Sequence, residues 1–114
     1  YEGYLSIRAL RCYGDYMLGH QIQADGTRRD SDNWQKGMPL EVYMKSLVRH
    51  TFDAMAIGRG IKTIDVKDDH EVVIEEALCG VIFNAFGYLH EFLKIQEEDT
   101  DDIRPTDDTE TDGF

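Results

Sequence analysis

The chain is 114 residues long, the size of one small domain, with 41% hydrophobic and 31% charged residues. Its 12 Lys and Arg stand against 23 Asp and Glu, a net charge of −11, and no basic patch is present to neutralise a nucleic-acid backbone, which argues against generic DNA or RNA binding. No segment approaches the roughly 18 apolar residues that cross a bilayer, and no signal-peptide pattern opens the chain, so no membrane association is expected.

The acid excess is uneven. Residues 97–114 hold nine acids and one base, Arg104, which leaves 14 acids against 11 bases in residues 1–96. The expected organisation is a single domain over 1–96 followed by an acidic, disordered tail over 97–114. Cys12 and Cys79 make neither a disulfide framework nor a zinc signature. They read most simply as small buried apolar residues, and a reducing cytoplasm, that of the host for a viral protein, is the expected compartment.

In chain order, Leu5, Ile7, Leu10, Tyr13 and Met17 recur at helical spacing, which predicts a helix over about residues 3–13 that Gly14 ends. Residues 21–38, with Gly26, Gly37 and a run of Asp, Arg, Ser and Asn, read as a long loop of the sort that often carries function. Pro39 suits the first turn of a second helix, predicted over about 39–57. Its apolar stripe is Leu40, Met44, Leu47, Val48 and Met55 with Phe52 beside them, and Ser46, Arg49, His50 and Asp53 fall on the opposite face. Gly58 and Gly60 end it. A polar connection follows, in which Ile61, Thr63, Ile64 and Val66 suggest a short strand. The last predicted helix covers about 70–96, on the stripe Ile74, Ala77, Leu78, Val81, Ala85, Tyr88, Leu89 and Phe92. Gly80 and Gly87 each cost that helix about 1 kcal/mol relative to alanine, which points to close approach of another helix or a ligand. The sum is an all-α helical bundle whose few helices leave apolar faces to be covered by another copy of the chain.

Four groups of residues invite chemistry. His50 and Asp53 share a helix face and can hold one cation together, or Arg49 can pair with Asp53 in an exposed ion pair worth little. Glu75 and Glu76 open the last helix beside its apolar stripe, where the helix dipole favours acids. Carboxylates gathered from two helices are also hard ligands for Mg²⁺ or Mn²⁺, and a bundle interior is where such sites are built. Asn33-Trp34-Gln35-Lys36-Gly37 carries the only tryptophan; the loop is either anchored by a buried indole or placed to stack on a base and contact phosphate. Asn84, on the Gly80 flank, is placed for an interhelical hydrogen bond or a ligand contact. His20, His70 and His90 are isolated in sequence and read as surface or tertiary contacts. No P-loop, dinucleotide fingerprint or nucleophile elbow is present.

The string NWQKGMPLEVYMKSLVRHTFDAM resembles the NW-x-KG-[LMI]-P…RH signature of the phage dATP/dGTP diphosphohydrolase-like proteins, which belong with the MazG-like all-α nucleotide pyrophosphohydrolases. EEALCGVIFNAFGYL is similar to their second helix, and the resemblance covers roughly residues 1–95. It implies a MazG-like bundle and hydrolysis of a (deoxy)nucleoside triphosphate, with purine dNTP expected, to the monophosphate and pyrophosphate. Divalent metals held by carboxylates would bind the phosphates and activate a water. Carried over by motif, Asn33, Trp34, Lys36 and Gly37 form the nucleotide-side loop, and Arg49 and His50 match the helix signature. Lys36 and Arg49 would stabilise developing charge. His50, Asp53, Glu75 and Glu76 are the candidate metal set for Mg²⁺ or Mn²⁺, with Asp53, Glu75 and Glu76 placed by position rather than by motif identity; Glu75, Glu76 and Lys36 are the candidate catalytic residues, and Asn84 a further substrate contact.

The chain departs from the family pattern at three positions. Cys79 stands where an E-x-x-D aspartate, counted from Glu76, is expected, and relatives with this loop often carry histidine in place of Glu76 and asparagine in place of Gly80. The alternative expectation is therefore a catalytically silent relative that binds nucleotide or a protein partner. The expected assembly is a homodimer or homotetramer. The tail is either solubilising or a dock for a basic partner.

Overall fold

The computed structural model describes residues 1–21, 26–27 and 33–99. Three α-helices and no β-strand occur among them: α1 over Ile7–Gly19, α2 over Leu40–Gly58 and α3 over Ile74–Asp99, with short 3₁₀ turns at Glu2–Tyr4 and Asn33–Lys36. The expected all-α class is observed, and no described helix is long and apolar enough to cross a membrane.

The first helix differs from the sequence expectation at both ends. It starts one residue after Ser6, whose hydroxyl caps it by accepting from the Ala9 N–H at 3.1 Å. It also runs through Gly14 to Gly19. One glycine costs about 1 kcal/mol, too little to stop a helix whose Tyr13 and Met17 pack on the rest of the molecule. Helix α2 begins as expected, with Pro39 (φ −58°) as its N-cap. It ends in a Schellman arrangement: Gly60 sits at φ +81°, its N–H donates to Ile57 O at 3.0 Å, and the Ile61 N–H reaches Ala56 O at 2.9 Å.

The connection to α3 holds no strand. In place of the expected short strand there is one antiparallel bridge, Ile64 to Glu71, flanked by Val72 N–H to Thr63 O and Asp65 N–H to His70 O, both 2.9 Å. These bonds keep residues 70–72 extended, so α3 starts at Ile74 rather than near 70. At its far end α3 continues to Asp99, three residues into the segment expected to be disordered; the rest of that tail, 100–114, lies outside the described residues.

Helices α2 and α3 form the dominant pair, and α1 touches α3 much less extensively. Two glycines set the register. A Cβ on Gly80 would lie 2.6 Å from the His50 ring, and one on Gly87 would overlap the Tyr43 ring. Both steps are seven residues, taken in opposite directions, so the helices are antiparallel and meet every two turns. The close approach expected at these glycines is observed.

The packed face of α2 is therefore only in part the stripe that its hydrophobicity favours, sharing Leu47 with it. Tyr43, at 1% exposure, and half-buried Leu47, His50, Ala54 and Ile57 turn toward α3, whereas Met44, Val48, Met55 and Phe52 (63%) stay exposed. The helix has two apolar faces, and the glycine notches select the one carrying flat rings. His50, expected opposite the core, is in it. The buried apolar set is small, Tyr43, Val72, Ala77 and Cys79, joined by Asn84 at 3%.

Candidate functional site

The turn before α3 is built by its own acids. The Asp65 carboxylate accepts from the Lys67 N–H at 2.8 Å, the Asp69 N–H donates to Asp65 O at 2.8 Å, and Asp69 sits at φ 61°. This folds Asp65, Asp68 and His70 together, with one ligand atom from each lying within 4.8 Å of the others. The His70 ring bridges onward to α3. Its Nδ1–H donates to Asp68 at 2.6 Å, and its Nε2–H to the Glu76 carboxylate at 2.8 Å. Both bonds hold the ring protonated, raising its pKa to about 9, and the same contact lowers that of Asp68.

His50 lies on the adjoining face. Desolvation lowers its pKa, as does the Arg49 guanidinium 3.5 Å from Nε2; Asp53, Glu76 and Asp65 act in the opposite sense. The two histidines of this hairpin end are thus set apart, His50 neutral and His70 charged at neutral pH. Two oxygens and an imidazole nitrogen are a donor set suited to Mn²⁺ and acceptable to Mg²⁺. A cation bound there displaces the His70 proton, because a ligating imidazole must be neutral.

The expected metal set is divided. His50, Asp53 and Glu76 face this end of the hairpin, half-buried. Glu75, expected to point partly inward, is exposed, one position round the helix from Glu76. Asp65, Asp68 and His70 were not in the expected set. Their D-x-x-D-x-H spacing before a helix was the available signal, but it stood in a segment that read as a polar connection.

Comparison with known protein families, curated proteins and solved structures finds no match to this chain.

The second feature is an aromatic pocket of about 420 Å³, farther along α3, lined by Tyr13 and Met17 of α1, Trp34, Tyr43 of α2, and Phe83 and His90 of α3 among others. Trp34 meets the His90 ring edge-on, 5.0 Å between centroids at 74°. Gly37, at φ +75°, passes the Glu91 carboxylate so closely that a Cβ would lie 2.5 Å from Oε2, an oxygen that is buried and has no hydrogen-bond partner among the described residues. That glycine is what lets the loop lie on α3.

Of the other expected contacts, Lys36 and Arg49 are exposed, and the side chain of Asn33 lies outside the described residues. Asn84 turns inward, and its amide donates to Gly80 O at 2.8 Å. That bond lies within α3, not between helices, so Asn84 shapes the helix at the His50 contact. His90, which read as isolated in sequence, is part of the pocket wall.

Proposed function

We propose that the chain is a Mg²⁺- or Mn²⁺-dependent (deoxy)nucleoside triphosphate pyrophosphohydrolase, releasing the monophosphate and pyrophosphate, with a purine dNTP as the expected substrate. One observation carries the reading: acids and imidazoles gather at one end of the α2–α3 pair, and an aromatic pocket opens farther along the same pair. Glu76 and Phe83 are seven residues apart on α3, an axial rise of about 10 Å. A ligand with a flat, apolar end and a polyanionic end finds a place for both. The NW-x-KG…RH resemblance agrees, since its tryptophan lines the pocket and its histidine adjoins the acids.

Asp65, Asp68 and His70 would hold the cation, with Glu76 behind His70. The cation supplies Lewis acidity toward phosphate and lowers the pKa of water. The chain's own residues do the rest. Trp34 and Phe83 offer flat surfaces for a base. Lys36 and Arg49, both exposed, would reach phosphate oxygens. The Glu76 carboxylate, which accepts from His70 Nε2–H at 2.8 Å in the metal-free chain, would take a proton from the attacking water. The uncovered face of α2, Leu40, Met44 and Val48 with Tyr88 of α3 beside it, suits pairing with a second copy as a homodimer or homotetramer.

A catalytically silent relative is the second reading. It is favoured by His70, whose two nitrogens are both engaged by carboxylates, and by Cys79 at the expected aspartate position. The experiment is incubation with each common NTP and dNTP and Mg²⁺ or Mn²⁺, with products resolved by chromatography. Pyrophosphate plus a monophosphate, lost in Asp68→Asn and Glu76→Gln, supports the enzyme. Diphosphate plus orthophosphate overturns the cleavage position. No turnover alongside retained nucleotide binding supports the silent relative.

A further inference from the structure

The thiols of Cys12 on α1 and Cys79 on α3 lie 3.9 Å apart, sulfur to sulfur. The pair spans the contact of α1 with α3, which is much less extensive than that of α2 with α3. Cys12 is half-buried and reachable, whereas Cys79 is buried. A disulfide needs about 2.05 Å between the sulfurs. The remaining gap of about 2 Å is small for a helix held as lightly as α1. The helix matters beyond itself, because its Tyr13 and Met17 form one wall of the aromatic pocket, and Tyr13 lies one residue from Cys12.

We infer that Cys12 and Cys79 form a reversible intramolecular disulfide that locks α1 onto α3 and fixes the α1 wall of the aromatic pocket. The oxidant is a peroxide. The Cys12 thiol takes one oxygen from it, giving a sulfenic acid and water. The Cys79 sulfur then attacks the Cys12 sulfur, the S–O bond breaks, and the departing hydroxide leaves as water with the Cys79 proton. A dithiol returns both sulfurs to thiols by exchange. Desolvation and the neighbouring Cys12 raise the Cys79 pKa to about 11, so Cys79 stays protonated and is the resolving partner rather than the first to react. The inference stands on the sulfur geometry and the pocket wall, and does not depend on which ligand the pocket takes.

The test uses the full chain treated with hydrogen peroxide and then with dithiothreitol. Intact mass should fall by two hydrogens and recover on reduction, with a non-reducing peptide map joining the Cys12 and Cys79 peptides. Amide exchange over Ile7–Gly19 should slow by on the order of tenfold or more in the oxidised form. Cys12→Ser and Cys79→Ala should each abolish both changes; the alanine avoids burying a hydroxyl at Cys79. A disulfide between two chains, or Cys12 oxidised to sulfinic acid with Cys79 free, overturns the pairing. A Cys12–Cys79 bond with unchanged exchange in α1 overturns the lock.

Discussion

Replacing Gly87 with alanine sets a helix-propensity gain against a steric loss, and the structure says which wins. In an open helix the change gains about 1 kcal/mol. At Gly87 the new methyl overlaps the ring of Tyr43, the only large side chain that is fully buried among the described residues. The ring is wedged between two backbones, so relief requires α2 to move off α3 or the ring to leave its rotamer, and overpacking of this kind costs about 1–3 kcal/mol beyond the gain. Gly14→Ala is the matched control, because that glycine is also inside a helix and a Cβ there meets nothing within 4 Å. In a domain of this size each kcal/mol moves Tm by about 4–8 °C. Thermal unfolding followed by circular dichroism should therefore show Gly14→Ala higher than the parent and Gly87→Ala lower. A Gly87→Ala protein that gains as Gly14→Ala does would refute the ring-on-glycine packing and the register built on it.

In the metal-free chain, His70 should make stability pH-dependent. Its folded pKa is raised from 6.5 to about 9, so its stabilising contribution is complete below pH 6.5 and fades as pH rises through 9. His50, lowered by burial, acts oppositely and withdraws stability as pH falls below 6.5. Urea midpoints with chelator present should peak near pH 6.5–7, and His70→Gln should flatten the alkaline limb. Trp34 is the only tryptophan and lies on the pocket wall, so a purine dNTP with Mn²⁺ should change its emission, and Phe83→Ala should remove most of that change. Val48→Glu puts a charge in the uncovered face of α2; sedimentation should show the parent as an oligomer and this variant as a monomer, with an unaltered far-ultraviolet spectrum.

The helices were legible because their signals are local. The Pro39 start, the Gly58 and Gly60 stop and the long stripe of α3 each lie within a few turns. What was not legible was which face of α2 is covered. Met44, Val48, Phe52 and Met55 outweigh Tyr43 and His50 by hydrophobicity, and only the notches on α3, some forty residues away, decide for the rings. The site shows the same division. The tryptophan loop and His50 stood out as motifs. Asp65, Asp68 and His70 carry meaning only once Asp69 takes a left-handed turn and His70 swings back to Glu76, a geometry with no periodicity to read. Gly14 misled for the converse reason: its propensity cost is local, and the packing that outweighs it is not.

The two glycines of α3 also act as a key. The notches are one heptad apart, as are the two rings of α2, so a slip of one turn seats neither ring. A slip of two turns would seat Tyr43 at Gly80 and press His50 onto Val73, which has a side chain and no notch. Only one alignment satisfies both rings, and it is the one that brings His50 to Asp65 and Glu76. The spacing of two residues that carry no side chain thus decides which charges meet at the end of the hairpin.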